Sequence, residues 1–359
     1  MPRHVVCLTF DHDHLSGFIA RGMTSPTAIS RGEYDVVVIP RLMTLLARYG
    51  VKATFFTPGH TIDSTPEAVM PYIEAGHELA HHGWTHRLPV TLSREEEEEE
   101  IVRGNESIKR VSGQKARGYR SPAWDLSPHS IELLLKHGIR YDSSMMGHDY
   151  DCYYARQGDV ADLHKPFVRG RETELLEMPI SWSLDDFPHF EYMRLPNGSV
   201  QQGLMNASGV LENFVDDYTY MTQVCDFGIL TYTFHPHVIG RGHRMMMLER
   251  LIQRLIEGGA VFATMEDAMQ EWLAHAPAFL QRVEQALAPA HADGALDQAI
   301  AANRAAAHHA AKQLAQAISA KRPALADKIE AGVSGFVDHA IGKMVTICRS
   351  IRVARGNAL

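Results

Sequence analysis

Cysteine is scarce and scattered. The four residues, Cys7, Cys152, Cys225 and Cys348, form no Cys-x-x-Cys pair, which excludes a disulfide framework and a thiolate zinc site. Long hydrophobic runs are missing too: no apolar stretch approaches the ~20 residues of a membrane-spanning helix. The N-terminus, Met1-Pro2-Arg3-His4-Val5-Val6-Cys7, lacks the basic and apolar regions of a signal peptide. A cytoplasmic protein with reduced thiols is therefore expected. Basic charge is not in excess, and a net charge of −8 argues against nucleic acid or an anionic membrane as partner. What remains is ordinary for a globular chain, 45% hydrophobic and 22% charged over 359 residues, enough for one large domain with an appendage. Histidine is the exception, at 21 residues.

Glycines mark a repeating unit. Helical periodicity runs into Gly50, Gly76, Gly138, Gly228 and Gly259, and a short β-rich segment follows each. Glycine past a helix end is the expected left-handed stop. Repeated helix–Gly–strand units imply parallel strands joined by crossover helices. The first strand is expected at His4 to Phe10, and another at Leu175 to Ile180. Six or seven units favour a (β/α) barrel over a doubly wound sheet, since no Gly-x-Gly-x-x-Gly follows the first strand. Ser93-Arg94-Glu95-Glu96 is a capping box that opens a helix to about Val111. The six glutamates Glu95 to Glu100 are read as a solvated helix face. Residues 142–173 and 185–208 read as long loops that build a pocket.

Two constellations carry chemistry. His82 and His86 are four apart, so on one helical turn both imidazoles face one way and can hold one metal ion. At the end of the first strand, Asp11 and Asp13 alternate onto one face, an arrangement that also occurs as plain turn chemistry. Asp, His and His make an N/N/O ligand set, most suited to zinc, with a fourth position open to water. A free carboxylate beside it can take the proton of that water, and a later histidine can protonate a leaving amine.

Five segments in order resemble the polysaccharide deacetylase (NodB-homology) superfamily: Thr9-Phe10-Asp11-His12-Asp13; His82-Gly83-Trp84-Thr85-His86; Tyr119-Arg120-Ser121-Pro122-Ala123-Trp124; Glu177 to Asp186; and Thr231-Tyr232-Thr233-Phe234-His235-Pro236. The resemblance implies an α/β fold, a distorted (β/α)7-type barrel over residues 1–275. It also implies roles. Asp11 is the general base; Asp13, His82 and His86 hold a divalent metal, most suitably Zn2+. Arg120 orients Asp11, and the Ala123 N–H binds the oxyanion. His235 is the general acid, tuned by Asp186 or Asp185. Trp124, Trp182 and Phe187 wall the pocket, although such aromatics are as often core residues.

The pattern departs from most of that family. His12 separates the two acids, Gly83 stands where Ser or Thr is usual, and Phe234-His235-Pro236 replaces Leu-His-Asp. The acid spacing, together with Ser25-Pro26 and Pro58-Gly59-His60, resembles a branch that holds a Helicobacter-type peptidoglycan deacetylase and bacterial cyclic imidases. The expected activity is metal-dependent hydrolysis of non-peptide carbon–nitrogen bonds. The expected substrate is an N-acetylated amino sugar or a small cyclic amide or imide. The alternatives are a metal-independent allantoinase-like amidohydrolase and a non-catalytic carbohydrate-binding barrel. Beyond the barrel, residues 276–359 are expected to form an Ala-rich helical extension that supports a homo-oligomer.

Overall fold

The computed structural model describes residues 2–275. The helical extension expected at 276–359, and the self-association attached to it, lie outside the described residues. Each glycine-terminated helix delivers the chain into a strand. The strands are β1 (Arg3–Asp11), β2 (Thr54–Thr57), β3 (Glu78–His81), β4 (Gly118–Tyr119), β5 (Tyr141–Asp142), β6 (Tyr153–Gln157), β7 (Arg171–Glu177), β8 (Tyr192–Arg194), β9 (Val200–Gln202), β10 (Phe227–Phe234) and β11 (Val261–Phe262). The main sheet runs β10-β1-β2-β3-β4-β5-β7-β6, with β11 also pairing β1. All its pairings are parallel except β6 with β7. Seven parallel strands in that order make the α/β fold a distorted (β/α)7-type barrel. A lone bridge from Asp185 to Thr233 brings the chain beyond β7 back beside β10.

Side chains of β1 alternate between two cores. Val6, Leu8 and Phe10 pack outward under the helices. Val5 and Cys7 point inward, with Phe56, Ala80, Tyr141 and Ile229. This period of two puts Asp11 on the inner face. The helices that matter below are α1 (His14–Ala20), α2 (Pro26–Glu33), α3 (Asp35–Tyr49), α4 (Gly59–Ser64), α5 (Pro66–Glu74) and α6 (Arg94–Ser112). Gly50 takes φ 65° to end α3, as the glycine periodicity predicts. Among the described residues no helix is long and apolar enough to cross a membrane.

Three expectations need correction. The strand expected at Leu175 to Ile180 is instead Arg171–Glu177, because an antiparallel partner, β6, recruits its first half. The stretches 142–173 and 185–208 are not plain loops: the first contains β6, and the second contains the β8–β9 hairpin. The glutamate run is not a uniformly solvated face. The Ser93 capping box forms, but Glu97 and Glu100 are buried. Residues three apart share a helix face, and here that face also carries buried Ile101, Gly104 and Ile108. Glu97 accepts hydrogen bonds from the Ser127 and Ser130 hydroxyls.

Candidate active site

The chain leaving β3 turns sharply instead of starting a helix. Gly83 adopts φ 72° and His86 φ 60°, so His82 and His86 sit on a loop, not on the helical turn their spacing suggested. Glu100 of α6 holds that loop open: it accepts from the backbone N–H of Trp84 at 2.8 Å and of Thr85 at 2.6 Å, and from the Thr85 hydroxyl at 2.6 Å. These charge-assisted bonds offset the left-handed backbone of His86, which costs ~1–2 kcal/mol. The imidazoles lie with centroids 4.9 Å apart. Asp13 is the N-cap of α1, with helical φ/ψ, two residues beyond the end of β1. It still points to the same place: its oxygens lie 3.4 Å from His82 Nε2 and 3.2 Å from His86 Nε2. The Arg120 carbonyl oxygen is 2.7 Å from His82 Nδ1, which fixes that nitrogen as the donor and leaves Nε2 free to bind. Burial would raise the Asp13 carboxyl, but His86 and His82 outweigh it and hold it well below its ordinary value.

Arg120 follows β4 and is fully buried. Its Nη1 donates to Asp11 Oδ1 at 2.7 Å and to the Thr9 hydroxyl at 2.9 Å. Its Nε donates to the Ser143 carbonyl at 3.1 Å, and its guanidinium lies 4.0 Å from the Phe56 ring centre. The indole N–H of Trp124 reaches Asp11 Oδ2 at 3.3 Å. Burial pushes the Asp11 carboxyl up, yet Arg120, His82 and His235 outweigh it and bring it below the usual range. Asp11 is thus ionised at neutral pH. Across the cavity, His235 follows β10. Asp186 Oδ1 lies 2.9 Å from His235 Nδ1 and accepts the His235 backbone N–H at 3.0 Å. Asp185 is farther, at 3.4 Å, and caps the Phe187 N–H at 2.9 Å. Burial disfavours imidazolium, but the two carboxylates outweigh it and push His235 well above its ordinary value. Burial raises Asp186 as well, to about 7.

These groups meet around a cavity of about 230 Å³. The polysaccharide deacetylase family model matches residues 1–141. A peptidoglycan deacetylase of Helicobacter pylori is 32% identical over 287 residues, covering 76% of this chain and 97% of its own. The chain belongs to the polysaccharide deacetylase family. Like the deacetylases of that family, it is a hydrolase of carbon–nitrogen bonds other than peptide bonds. A solved Mycobacterium smegmatis structure described as a polysaccharide deacetylase is 29% identical, covers 76% of this chain and 91% of its own, and superposes with a TM-score of 0.65. An allantoinase structure at 17% identity covers 76% and 90% with a TM-score of 0.58, a likeness of fold alone.

In this deacetylase-family chain, the expected site residues line the cavity or stand directly behind those that do. Asp11, Asp13, His82, His86, Ala123, Trp124, Trp182, Phe187 and His235 line it; Arg120 and Asp186 stand behind Asp11 and His235. Ala123 and Trp124 both adopt left-handed φ, 54° and 55°, a strain that clusters at functional sites. Trp124 stacks on Trp182 at 4.0 Å. Trp182 is 40% exposed, so it is a cavity wall, not a core residue. Phe187 covers His235 with ring centres 4.9 Å apart. His237 does not line the cavity; it sits 3.6 Å from Glu191 behind His235. Sequence reasoning missed Arg21, Pro188 and Gln201, which also line the cavity, and Glu100. Gln201 lies on β9, inside a segment taken as loop, and Glu100 lay within a run read as solvated.

Proposed function

We propose that this chain hydrolyses an amide carbon–nitrogen bond with a divalent metal held by Asp13, His82 and His86. One observation carries the reading: three buried side chains aim ligand atoms at one point, and Asp13 Oδ1 has no hydrogen-bond partner there. Two imidazoles and a carboxylate suit zinc, and cavity access leaves an open position. The ion supplies Lewis acidity, acidifying a water and polarising the carbonyl. The chain does the rest. Asp11, ionised and fixed by Arg120 and Trp124, takes the proton of the attacking water. The Ala123 backbone N–H faces the developing oxyanion. His235, kept protonated by Asp185 and Asp186, gives its proton to the departing nitrogen. Trp124, Trp182 and Phe187 hold the substrate and exclude water.

The substrate class that the relatives' names support is an N-acetylated amino sugar. A second reading, a small cyclic imide, is favoured by Gln201 and Pro188, which bring the 185–208 segment against a cavity of about 230 Å³. Unpaired Cys7, Cys152 and Cys225 support a reducing, cytoplasmic setting for either. The test is a panel of chito-oligosaccharides, succinimide, glutarimide, hydantoin and allantoin, with and without chelator. Chelator-sensitive acetate release supports the sugar reading, and chelator-sensitive ring opening the imide reading. Turnover that survives complete metal removal contradicts the proposal.

A further inference from the structure

The stretch Asp11-His12-Asp13-His14 alternates. Asp11 and Asp13 point into the cavity, and His12 and His14 point the opposite way, where they meet Asp35 at the start of α3. All three of these residues are buried, none more than 1% exposed. Asp35 Oδ2 lies 3.6 Å from His12 Nε2 and 3.8 Å from His14 Nδ1. Those distances are too long for hydrogen bonds, and His12 Nε2, His14 Nδ1 and both Asp35 oxygens have no hydrogen-bond partner. A buried carboxylate with no hydrogen bond, faced only by two imidazoles at ion-pair distance, is unfavourable, and a cation among the three groups would compensate it. Two atoms that each bind one zinc ion tetrahedrally at ~2.1 Å lie about 3.4 Å apart, close to what is seen here. The far ring nitrogens are already oriented: His12 Nδ1 is 3.3 Å from the Tyr72 hydroxyl and His14 Nε2 is 2.9 Å from the Thr65 hydroxyl. Tyr72 is itself tied to the Thr57 hydroxyl at 2.9 Å. Oriented outer nitrogens with inward nitrogens unpaired are the usual surroundings of histidine ligands.

We propose that His12, His14 and Asp35 form a second divalent-metal site, a closed structural zinc centre with four donor atoms: His12 Nε2, His14 Nδ1 and both oxygens of the Asp35 carboxylate. It pins the turn from β1 into α1 to the start of α3 and so fixes the two acids on the other side of that turn. It also gives the residue inserted between those acids a task. The test loads full-length protein with Zn2+, removes free ion by desalting, and counts zinc per folded chain. Wild type is expected to hold two equivalents, the His82→Ala/His86→Ala protein one, and Asp35→Asn or His14→Gln one. The His82→Ala/His86→Ala/Asp35→Asn protein is expected to hold none. With Co2+ in place of zinc, the His82→Ala/His86→Ala protein should show the visible band of a four-coordinate site, and it should vanish when Asp35→Asn is added. No bound ion in the His82→Ala/His86→Ala protein overturns the proposal, whether or not the Asp35 variants fold. So does one equivalent retained after all three substitutions, which puts the ion elsewhere. If the cavity reading fails instead, Asp35→Asn holds no zinc while the His82→Ala/His86→Ala protein keeps one.

Discussion

Two clusters with the same chemistry, two histidines and an aspartate each, flank one short stretch of chain, and their surroundings differ. Asp13, His82 and His86 open on a cavity with Asp11 and His235 beside them. His12, His14 and Asp35 are sealed between β1, α3 and α5, and among the described residues only the Tyr72 and Thr65 hydroxyls are in hydrogen-bonding reach. The contrast teaches that ligand type does not make a catalytic centre. The proposed mechanism also needs an accessible coordination position, a base and an acid, and of these two clusters the cavity one has Asp11 and His235 beside it.

Variants can break this contrast. The largest expected effect is His82→Ala with His86→Ala, which removes Lewis-acid stabilisation worth several kcal/mol. Hydrolysis should fall on the order of 10³-fold, since each ~1.4 kcal/mol is tenfold; steady-state rates on the responsive substrate check this. Next is Asp11→Asn, which removes the base but no metal ligand. A loss of about 10²–10⁴-fold in kcat is expected, with zinc content unchanged. Equal loss of zinc would make Asp11 a ligand instead. Asp186→Asn should cost less and change the pH profile. In the proposed mechanism His235 acts when protonated, and Asp185 and Asp186 hold its pKa well above the ordinary value. Activity is therefore lost as pH rises through that raised pKa. Weakening the partner lowers the pKa, so the alkaline limb should move to lower pH. A limb that stays in place would remove His235 from the acid role.

The smallest effect sharpens the comparison from outside both clusters. Glu100→Gln weakens the bonds that hold the 82–86 loop, and Glu100 belongs to neither proposed ligand set. Zinc should bind the cavity site about 10–100-fold more weakly, as for other residues that orient ligands. The sealed cluster should be unaffected. Titration of zinc against a competing chelator measures both.

Much of the cavity was legible because its parts sit at strand ends. The alternation in β1 and the histidine after β10 place Asp11, Asp13 and His235 once parallel strands are inferred. The spacing of His82 and His86 points to two imidazoles side by side, and they are, with centroids 4.9 Å apart; the helical turn it suggests is instead a loop made by Gly83 and the left-handed His86. Glu100 was hidden because the run of six glutamates was read as one face, although a helix divides such a run among faces. Downstream Ile101 and Ile108 mark the buried one. Gln201 and Asp35 gave no local signal. Each reaches its partners only through tertiary contact, across a hairpin or from the start of α3.

The most direct trial of the central claim is the rate of the chelator-stripped protein on the responsive substrate as zinc is returned. The account predicts negligible turnover without the ion and recovery as the cavity site fills, with none in the His82→Ala/His86→Ala protein. Full turnover by protein shown to be free of metal would contradict it.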